Sequence, residues 1–182
     1  MKINLLALII LFIVSCQPSK SDNIVVEKND DWSMTDFVKV DSINPILVPT
    51  KNLTFDCPIQ GKSIEWEGKN VLNPAAFIKD DKVYLLYRAQ DENMTSRLGL
   101  AISKDGLHFE KQGEPIFYPD NDSVKIYEWQ GGVEDPRIVE SEDGRYILTY
   151  TSYDGKTASL CLASSTDLKN WIKHGLVLGY AN

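Results

Sequence analysis

The feature that most restricts the fold of this chain is an internal repeat. When the sequence is compared with itself at an offset of about sixty residues, residues 71–113 match residues 133–175 with one inserted residue. Such a period is typical of folds in which one supersecondary unit recurs along the chain and packs against its neighbour. The repeat therefore predicts at least two copies of one small unit.

The two copies agree in turn residues and in strand-like runs. The matched stretches, in chain order, are Asn73-Pro74 with Asp135-Pro136, residues 82–91 with 145–154, and residues 98–113 with 160–175. Alternating β-branched, aromatic and polar residues between Asp-Gly or Asp-Asp turns predict antiparallel strands. Each copy then carries a Ser-x-Asp-x-x-x-aromatic segment. We expect its Asp to lie in a turn, and Phe109 or Trp171 to begin another strand and pack inward.

Short strands repeated head to tail, with an aromatic residue at a fixed place, are typical of β-propeller blades. The alternative is a pair of meanders in a β-sandwich. A propeller closes with roughly four to eight blades, whereas this chain holds two clear blades and a partial one before Asn70. We therefore predict an all-β protein with an incomplete β-propeller of two to three blades, the N-terminal portion of a longer protein.

The N-terminus predicts export. Lys2 precedes an apolar run over residues 3–14, which ends at Ser15 and Cys16. The run is shorter than the about 20 residues that a membrane-spanning helix needs, and the residues before Cys16 resemble a bacterial lipobox. We expect a lipoprotein signal peptide over residues 1–16, with Cys16 carrying the lipid in the bacterial cell envelope. An uncleaved anchor and an ordinary secretory signal are the alternatives, and either also exports the protein.

The residues after Cys16 separate the lipid from the folded part. Residues 17–31 are polar and poor in aromatic residues, which predicts a flexible tether, and the folded domain is expected over residues 32–182. The net charge of −7 and the isoelectric point near 4.8 argue against a nucleic-acid partner, because phosphate binding needs a basic surface. We expect contact with the membrane through the lipid anchor only.

The remaining cysteines and the histidines indicate no metal site. Cys57 and Cys161 can form a disulfide in an exported protein, but two separate buried thiols are favoured, because free cysteine is among the most buried residue types. His108 and His174 have no Cys/His cluster around them, so we predict no structural zinc. No cofactor is implied.

Residues 128–137 form the segment with the richest chemistry. It is dense in glycine and acid, its glycines allow close approach of a ligand to the backbone, and Trp129 offers a face on which a sugar ring can stack. The adjacent carboxylates Glu134 and Asp135 can divide acid and base work in glycoside cleavage. Pro136 is expected to keep Asp135 extended. The alternative is a turn whose acids pair with Arg137 in solvent.

The first copy of the repeat has polar residues in corresponding places. Asn73 opens its blade as Asp135 opens the second, and Arg88 follows the strand that comes next. Because equivalent positions of neighbouring blades point at the same axial cleft, these three side chains are expected to converge and to hydrogen-bond sugar hydroxyls. The alternative is an Asn that stabilises a turn and an Arg that extends to water.

These motifs resemble glycoside hydrolase family 130, the β-mannoside phosphorylases and hydrolases built on five-bladed β-propellers. The similarity runs from about Asn44-Pro45 to the C-terminus. It is carried by Asn73-Pro74, Tyr87-Arg88-Ala89, residues 98–103 with Asp105-Gly106, residues 132–137, and Tyr150-Thr151 with Tyr153-Asp154-Gly155.

The resemblance implies that Asp135 is the catalytic acid, which gives a proton to the glycosidic oxygen with inversion at the anomeric carbon. It also implies that Asn73 and Arg88 contact the substrate, an oligosaccharide. We predict that the substrate-binding set further includes Trp129, Glu134, Arg137 and Asp154.

The nucleophile is less clearly indicated. In the family's phosphorylases, basic residues hold inorganic phosphate, and one is expected just after Tyr153-Asp154, where this chain has Gly155, with Lys156 next to it. We therefore predict a glycosidase in which water attacks and a second carboxylate activates it. Glu134 is not assigned that role, because neighbours in an extended strand point to opposite faces.

Two other functions stay open. A β-mannoside phosphorylase is the alternative within catalysis, although export argues against it, because a sugar phosphate is best used inside the cell. A non-catalytic glycan-binding lipoprotein, or a truncated remnant, is the alternative outside catalysis.

Overall fold

A computed structural model of the protein describes residues 38–179. The predicted signal peptide, the lipidation site Cys16 and the tether over residues 17–31 lie outside the described residues. The described residues form ten strands and one short helix: β1 (Thr54–Cys57), β2 (Lys62–Glu65), β3 (Asn70–Lys79), β4 (Lys82–Gln90), β5 (Ser96–Ser103), β6 (Glu110–Lys111), α1 (Lys125–Glu128), β7 (Gly132–Glu140), β8 (Tyr146–Tyr153), β9 (Ala158–Ser165) and β10 (Trp171–Leu176). Over this range, no helix is long and apolar enough to cross a membrane.

The strands group as the repeat predicted. The first copy folds as the antiparallel sheet β3-β4-β5-β6, and the second copy folds as β7-β8-β9-β10. The two sheets meet at one parallel bridge between Ser96 and Gly132, and the hairpin β1-β2 stands before the first sheet. Each copy is thus one blade of a β-propeller, and the described residues contain two blades and a hairpin, within the predicted two to three.

Alternation along the strands directs one face of each blade toward its neighbour. In β8, every second side chain from Tyr146 to Ser152 is buried, the period of two that a half-buried strand requires. The core between the blades consists of Leu86, Leu98, Leu100, Phe117, Val124, Val133, Leu148, Tyr150, Cys161 and Ala163. Full burial of one large apolar side chain stabilises a fold by about 1.5–3 kcal/mol, so this core fixes one blade against the other.

A second core lies on the other side of the first blade. It consists of Phe55, Cys57, Trp66, Tyr87, Ala89 and Ala101. Cys57 and Cys161 therefore belong to different cores and are both buried free thiols. Of the two arrangements considered for these cysteines, the separate buried thiols are confirmed.

The Ser-x-Asp turns also form as predicted. Asp167 accepts hydrogen bonds from the backbone N–H groups of Lys169 (2.8 Å) and Asn170 (2.7 Å). Trp171 begins β10 and packs edge-on against Phe117, with 5.6 Å between ring centroids. In the first blade Phe109 also packs against a core, but the strand begins one residue later, at Glu110, so Phe109 precedes the strand that it was expected to begin.

Each blade is tied to the loop that leads into it by a buried Tyr–Glu–Lys group, which we call the latch. In the first blade, Glu67 accepts hydrogen bonds from the Tyr87 hydroxyl (2.7 Å) and the Lys111 ammonium (2.5 Å). The carboxylate of Glu67 is fully buried. The latch thus joins the loop before the blade to its second and fourth strands.

The second blade repeats this arrangement. Glu128 is fully buried and accepts hydrogen bonds from the Tyr150 hydroxyl (2.7 Å) and the Lys173 ammonium (2.5 Å). Burial raises the pKa of Glu128 above its usual value, and the charge of Lys173 opposes that rise. Burial also raises the pKa of Tyr150, so this tyrosine stays a hydrogen-bond donor.

Candidate active site

The first strand of each blade is interrupted at an X-Pro dipeptide. The register of β3 shifts between Leu72 and Ala75, and that of β7 shifts between Glu134 and Arg137. Proline has no N–H to donate to the neighbouring strand, so a bulge is expected there. The two bulges expose the side chains that precede the prolines, Asn73 and Asp135.

Asp135 is not extended, and the expectation drawn from Pro136 is wrong. Asp135 has φ = 47° and Asn73 has φ = 41°, both in the left-handed region. Asn and Asp enter this region more readily than other residues with a Cβ, and strained backbone of this kind is concentrated at functional sites. The ladder hydrogen bonds on both sides of the bulge outweigh the steric preference that proline imposes on the residue before it.

The structure brings Asn73, Arg88 and Asp135 together. The Asn73 side-chain amide donates a hydrogen bond to Asp135 Oδ1 (2.8 Å), and Arg88 Nη1 lies 3.2 Å from the same oxygen. Arg88 Nη2 is 2.5 Å from Glu134 Oε1. Two residues of the first blade and two of the second therefore form one polar cluster at the joint between the blades.

Glu134 lies on the same side of the strand as Asp135, since both carboxylates reach one guanidinium. The expectation that these neighbours point to opposite faces is wrong, because the left-handed turn at Asp135 breaks the strand's alternation. Their environments still differ. The Glu134 side chain is 14% exposed and the Asp135 side chain 36%, so Asp135 is the carboxylate more open to a ligand.

Burial also sets the electrostatics of this pair. It raises the pKa of Glu134 above its usual value, and the nearby charge of Asp135 adds to the rise, while Arg88 and the Ser96 hydroxyl oppose it. One guanidinium thus faces two carboxylates, and the cluster keeps an excess of negative charge when both are ionised.

The glycines of this segment serve the protein's own packing. A Cβ on Gly132 (φ = 108°) would overlap the backbone of Ser96, and one on Gly131 would overlap the Tyr153 ring. The sequence predicts that these glycines allow a ligand to approach the backbone closely. In the structure these glycines make room for the neighbouring blade and for β8.

The side chains of the other predicted site residues do not bond to the side chains of the cluster. Arg137 donates to the backbone carbonyls of Asp135 (3.3 Å) and Pro136 (2.8 Å), so the alternative in which it pairs with the acids is wrong. Asp154 accepts from the backbone N–H groups of Lys156 and Thr157, both at 2.7 Å. These bonds lower the pKa of Asp154 and give it a turn-stabilising role.

Trp129 follows the short helix α1, and its backbone N–H donates to the Lys125 carbonyl (2.9 Å). Its side chain is half-buried. Within residues 38–179 its indole N–H makes no hydrogen bond to Asp135. The structure therefore gathers the side chains of four of the seven predicted substrate and acid residues. Trp129 and Asp154 make no hydrogen bond to these four within residues 38–179, and among the four Arg137 bonds only to the backbone of Asp135.

Sequence reasoning missed two polar residues behind the cluster, Ser96 and Gln90. Both are buried, and the Ser96 hydroxyl lies 3.0 Å from Glu134 Oε1. The available signal was a pair of uncharged polar residues on either side of the hairpin that joins β4 to β5, at positions where an apolar core would be expected.

An apolar groove of about 230 Å³ adjoins Asn73. Its lining includes Pro45, Ile46, Leu72, Leu85 and Tyr87. Sugar rings present C–H faces as well as hydroxyls, so an apolar wall beside a polar cluster suits a carbohydrate.

Residues 37–182 match the family model of glycoside hydrolase family 130, described as beta-1,4-mannooligosaccharide phosphorylase. A β-1,2-mannobiose phosphorylase of Thermoanaerobacter sp. (strain X514) is 33% identical over 137 residues, which cover 66% of this chain and 43% of that protein.

Solved structures give the same family. A glycosyl hydrolase from Bacteroides ovatus is 43% identical with a TM-score of 0.78, over 82% of this chain and 43% of that one. A second solved structure is 42% identical, with a TM-score of 0.77, over 81% of this chain and 43% of that one. Its description states that the GH130 family of mannoside phosphorylases contains glycoside hydrolases that target β-1,2-mannosidic linkages in Candida mannan. The chain thus spans less than half the length of these relatives.

Proposed function

Because the chain belongs to glycoside hydrolase family 130, we propose that it carries the acid side of an active site that cleaves β-mannosides with water and with inversion. The observation that carries this proposal is the partly exposed carboxylate of Asp135, held from one side by Asn73 and Arg88. Asp135 is the proposed catalytic acid.

The two oxygens of Asp135 suit different tasks. Oδ1 accepts both the Asn73 amide and the Arg88 guanidinium, whereas no hydrogen bond reaches Oδ2 within residues 38–179. A proton on Oδ2 can pass to the glycosidic oxygen as the bond to the anomeric carbon breaks. Asp135 then becomes negatively charged, and its donors at Oδ1 stabilise that charge. A positive neighbour therefore assists the acid as the proton leaves.

Inversion also needs a base that removes a proton from the attacking water. In inverting glycosidases the two carboxyl groups stand roughly 6.5–9.5 Å apart, on opposite faces of the sugar. Glu134 shares the Arg88 guanidinium with Asp135, so it lies beside the acid and is not proposed as the base. We propose that the base lies outside this cluster.

Water is preferred to phosphate as the nucleophile. The likeness to a structure described in terms of β-1,2-mannosidases supports hydrolysis, as does Gly155 at the place where a phosphate-binding basic residue is expected. Phosphorolysis is the second candidate, supported by the names of the Thermoanaerobacter relatives. Both candidates make a β-1,2-linked manno-oligosaccharide the first substrate to test.

We further propose that the enzyme is a lipoprotein of the bacterial cell envelope, anchored through Cys16. The apolar run and lipobox-like residues before Cys16 support this. A Cys16→Ser change should abolish the lipid-dependent mass increase and reduce the partition into detergent. An unaltered mass and partition would contradict the anchor.

The test of catalysis is release of mannose from β-1,2-mannobiose and mannotriose, with and without inorganic phosphate. Release of free mannose without phosphate, lost in Asp135→Asn but kept in Asp143→Asn, is the expected result. Asp143 suits as a control because it is an exposed aspartate in the turn after the same strand. Mannose 1-phosphate formed only with phosphate would establish phosphorolysis. Binding without release would favour a glycan-binding protein.

A further inference from the structure

We infer that Ser96 is a positioning residue of this site, whose hydroxyl holds Arg88 and Glu134 so that the guanidinium faces Asp135. This inference rests on the proposed function, because it assigns Ser96 a part in the reaction of Asp135. Ser96 is the first residue of β5 and is fully buried. It therefore acts from behind the cluster and does not meet the substrate.

The Ser96 hydroxyl is fully used. A serine hydroxyl has one proton to donate and two lone pairs that accept. Ser96 Oγ accepts from Arg88 Nε (3.0 Å) and Gln90 Nε2 (3.1 Å), and it donates to Glu134 Oε1 (3.0 Å). Because both lone pairs are occupied by donors, the proton is directed at Glu134, which must accept it.

The same contacts leave Arg88 only one orientation. Its Nε is held by Ser96 and its Nη2 by Glu134, and two bonded nitrogens fix the plane of a rigid guanidinium. The third nitrogen, Nη1, then faces Asp135. Loss of the Ser96 hydroxyl removes the bond to Nε and the bond that orients Glu134, so the guanidinium loses one constraint and the partner that supplies the other is no longer fixed.

Gln90 and Asn70 extend this chain of hydrogen bonds away from the site. Gln90 is buried, its amide nitrogen donates to Ser96, and its amide oxygen accepts from Asn70 Nδ2 (2.9 Å). Donation therefore runs in one direction, from Asn70 through Gln90 and Ser96 to Glu134. A chain whose members are all satisfied holds its last member more firmly than an isolated hydrogen bond does.

The backbone of Ser96 is fixed as firmly as its side chain. Its N–H donates to the Gly131 carbonyl (2.8 Å), and it forms the bridge to Gly132 that joins the two blades. Ser96 thus belongs to the first blade while it positions Glu134 of the second. This placement explains why a buried serine, and not an apolar residue, stands at the joint.

The test compares Ser96→Ala with Ser103→Ala. The two serines lie at opposite ends of β5 and are 0% and 2% exposed, but the Ser103 hydroxyl bonds to the Asp105 turn. We expect kcat of Ser96→Ala to fall by about 10–100-fold with KM changed by less than about threefold, as for other supporting residues. Ser103→Ala should keep kcat while losing comparable thermal stability.

A crystal structure of Ser96→Ala gives a readout independent of turnover. We expect Arg88 Nη1 to move beyond hydrogen-bond reach of Asp135, about 3.5 Å. If Ser96→Ala does not fold, Gln90→Met tests the same series of hydrogen bonds. The expected loss in kcat is about threefold to tenfold for one hydrogen bond.

Each outcome bears on one proposal. Equal kcat values for Ser96→Ala and Ser103→Ala, an unmoved Arg88, or full activity of Gln90→Met would overturn the role of Ser96. A wild-type protein that turns over no β-mannoside would contradict the proposed function instead, and the position of Arg88 in Ser96→Ala would still decide whether Ser96 holds it.

Discussion

In the first blade the bulge presents the amide of Asn73, whereas in the second it presents the carboxylate of Asp135. The backbone of the two bulges is nearly the same, with φ values of 41° and 47°. The latches behind them also correspond, with the same three residue types and closely similar distances. The blades therefore share their supporting structure and differ in the group that each contributes to the polar cluster.

A second difference lies on the neighbouring strand. Arg88 of β4 corresponds in the repeat to Thr151 of β8, and only the arginine is long enough and charged to span two carboxylates. The first blade thus contributes donors and the second contributes acids. Equal scaffolds with complementary side chains give a cluster that neither blade forms alone.

The largest expected effect comes from exchange of the residues presented by the two bulges, Asn73 and Asp135, which we call the tips. Asp135→Asn should lower kcat by about 10²–10⁴-fold, the usual contribution of general acid catalysis, and Asn73→Asp in the same protein should not restore it, because Arg88 and Glu134 keep their places. Kinetics on β-1,2-mannobiose would measure this, with Asp143→Asn as the control. Wild-type activity in the double exchange would show that the tips are interchangeable.

Removal of the latch lysines should affect stability most. Lys173→Met and Lys111→Met each leave a fully buried carboxylate without its cation, and loss of one partner of a buried pair costs about 3–5 kcal/mol of unfolding free energy. Urea denaturation measures the loss, and Lys169→Met at an exposed position is the control. A large loss in only one of the two variants would mean that the latches are not equivalent.

Removal of the latch hydroxyls should have a smaller effect. Tyr150→Phe and Tyr87→Phe keep the ring packing and remove one hydrogen bond to a buried carboxylate, so about 1.5–3 kcal/mol should be lost in each blade. The same denaturation experiment applies. A neutral result would indicate that the lysine alone satisfies the carboxylate.

The smallest effects are expected in the Ser-x-Asp turns and should appear only in acid. A hydrogen bond with the His108 side chain is the main cause that lowers the pKa of Asp105, and the backbone N–H of Asn170 is the main cause that lowers that of Asp167. Because the folded-state pKa is lowered, the contribution is present above the unfolded value of about 3.9 and is lost as pH falls below it.

Urea midpoints at pH 7 and pH 3 would measure this contribution in Asp105→Asn and Asp167→Asn. Both variants should lose less stability on acidification than the wild type. His108→Asn should weaken the acid-dependent part of the stability that comes from Asp105. It should leave the part that comes from Asp167 unchanged. An effect of His108→Asn on both turns would contradict the assignment.

The repeat allowed the blades to be predicted from the sequence, because alternation and turn residues are local signals. The approach of Asn73 and Arg88 to Asp135 also followed from the repeat, since corresponding positions of adjacent blades face one cleft. The side on which Glu134 lies did not follow. It depends on the left-handed turn at Asp135, which the steric rule for residues before proline disfavours.

The latches were missed for a different reason. Glu67 precedes the first residue of the detected repeat, and a charged residue in a loop is normally read as exposed. Its burial depends on a tyrosine and a lysine that are distant in sequence, and no local pattern reports such a meeting. The hydrogen bonds of Arg137 and Asp154 likewise depend on turn geometry that composition does not reveal.

The single bridge between Ser96 and Gly132 has an evolutionary consequence. The cluster lies at the joint between two copies of one blade. Duplication of a blade therefore creates a new joint, at which new tips face each other. Substitutions at those tips can then change the chemistry while the latches preserve the fold. In such an architecture, catalytic novelty and structural integrity are inherited through separate sets of residues.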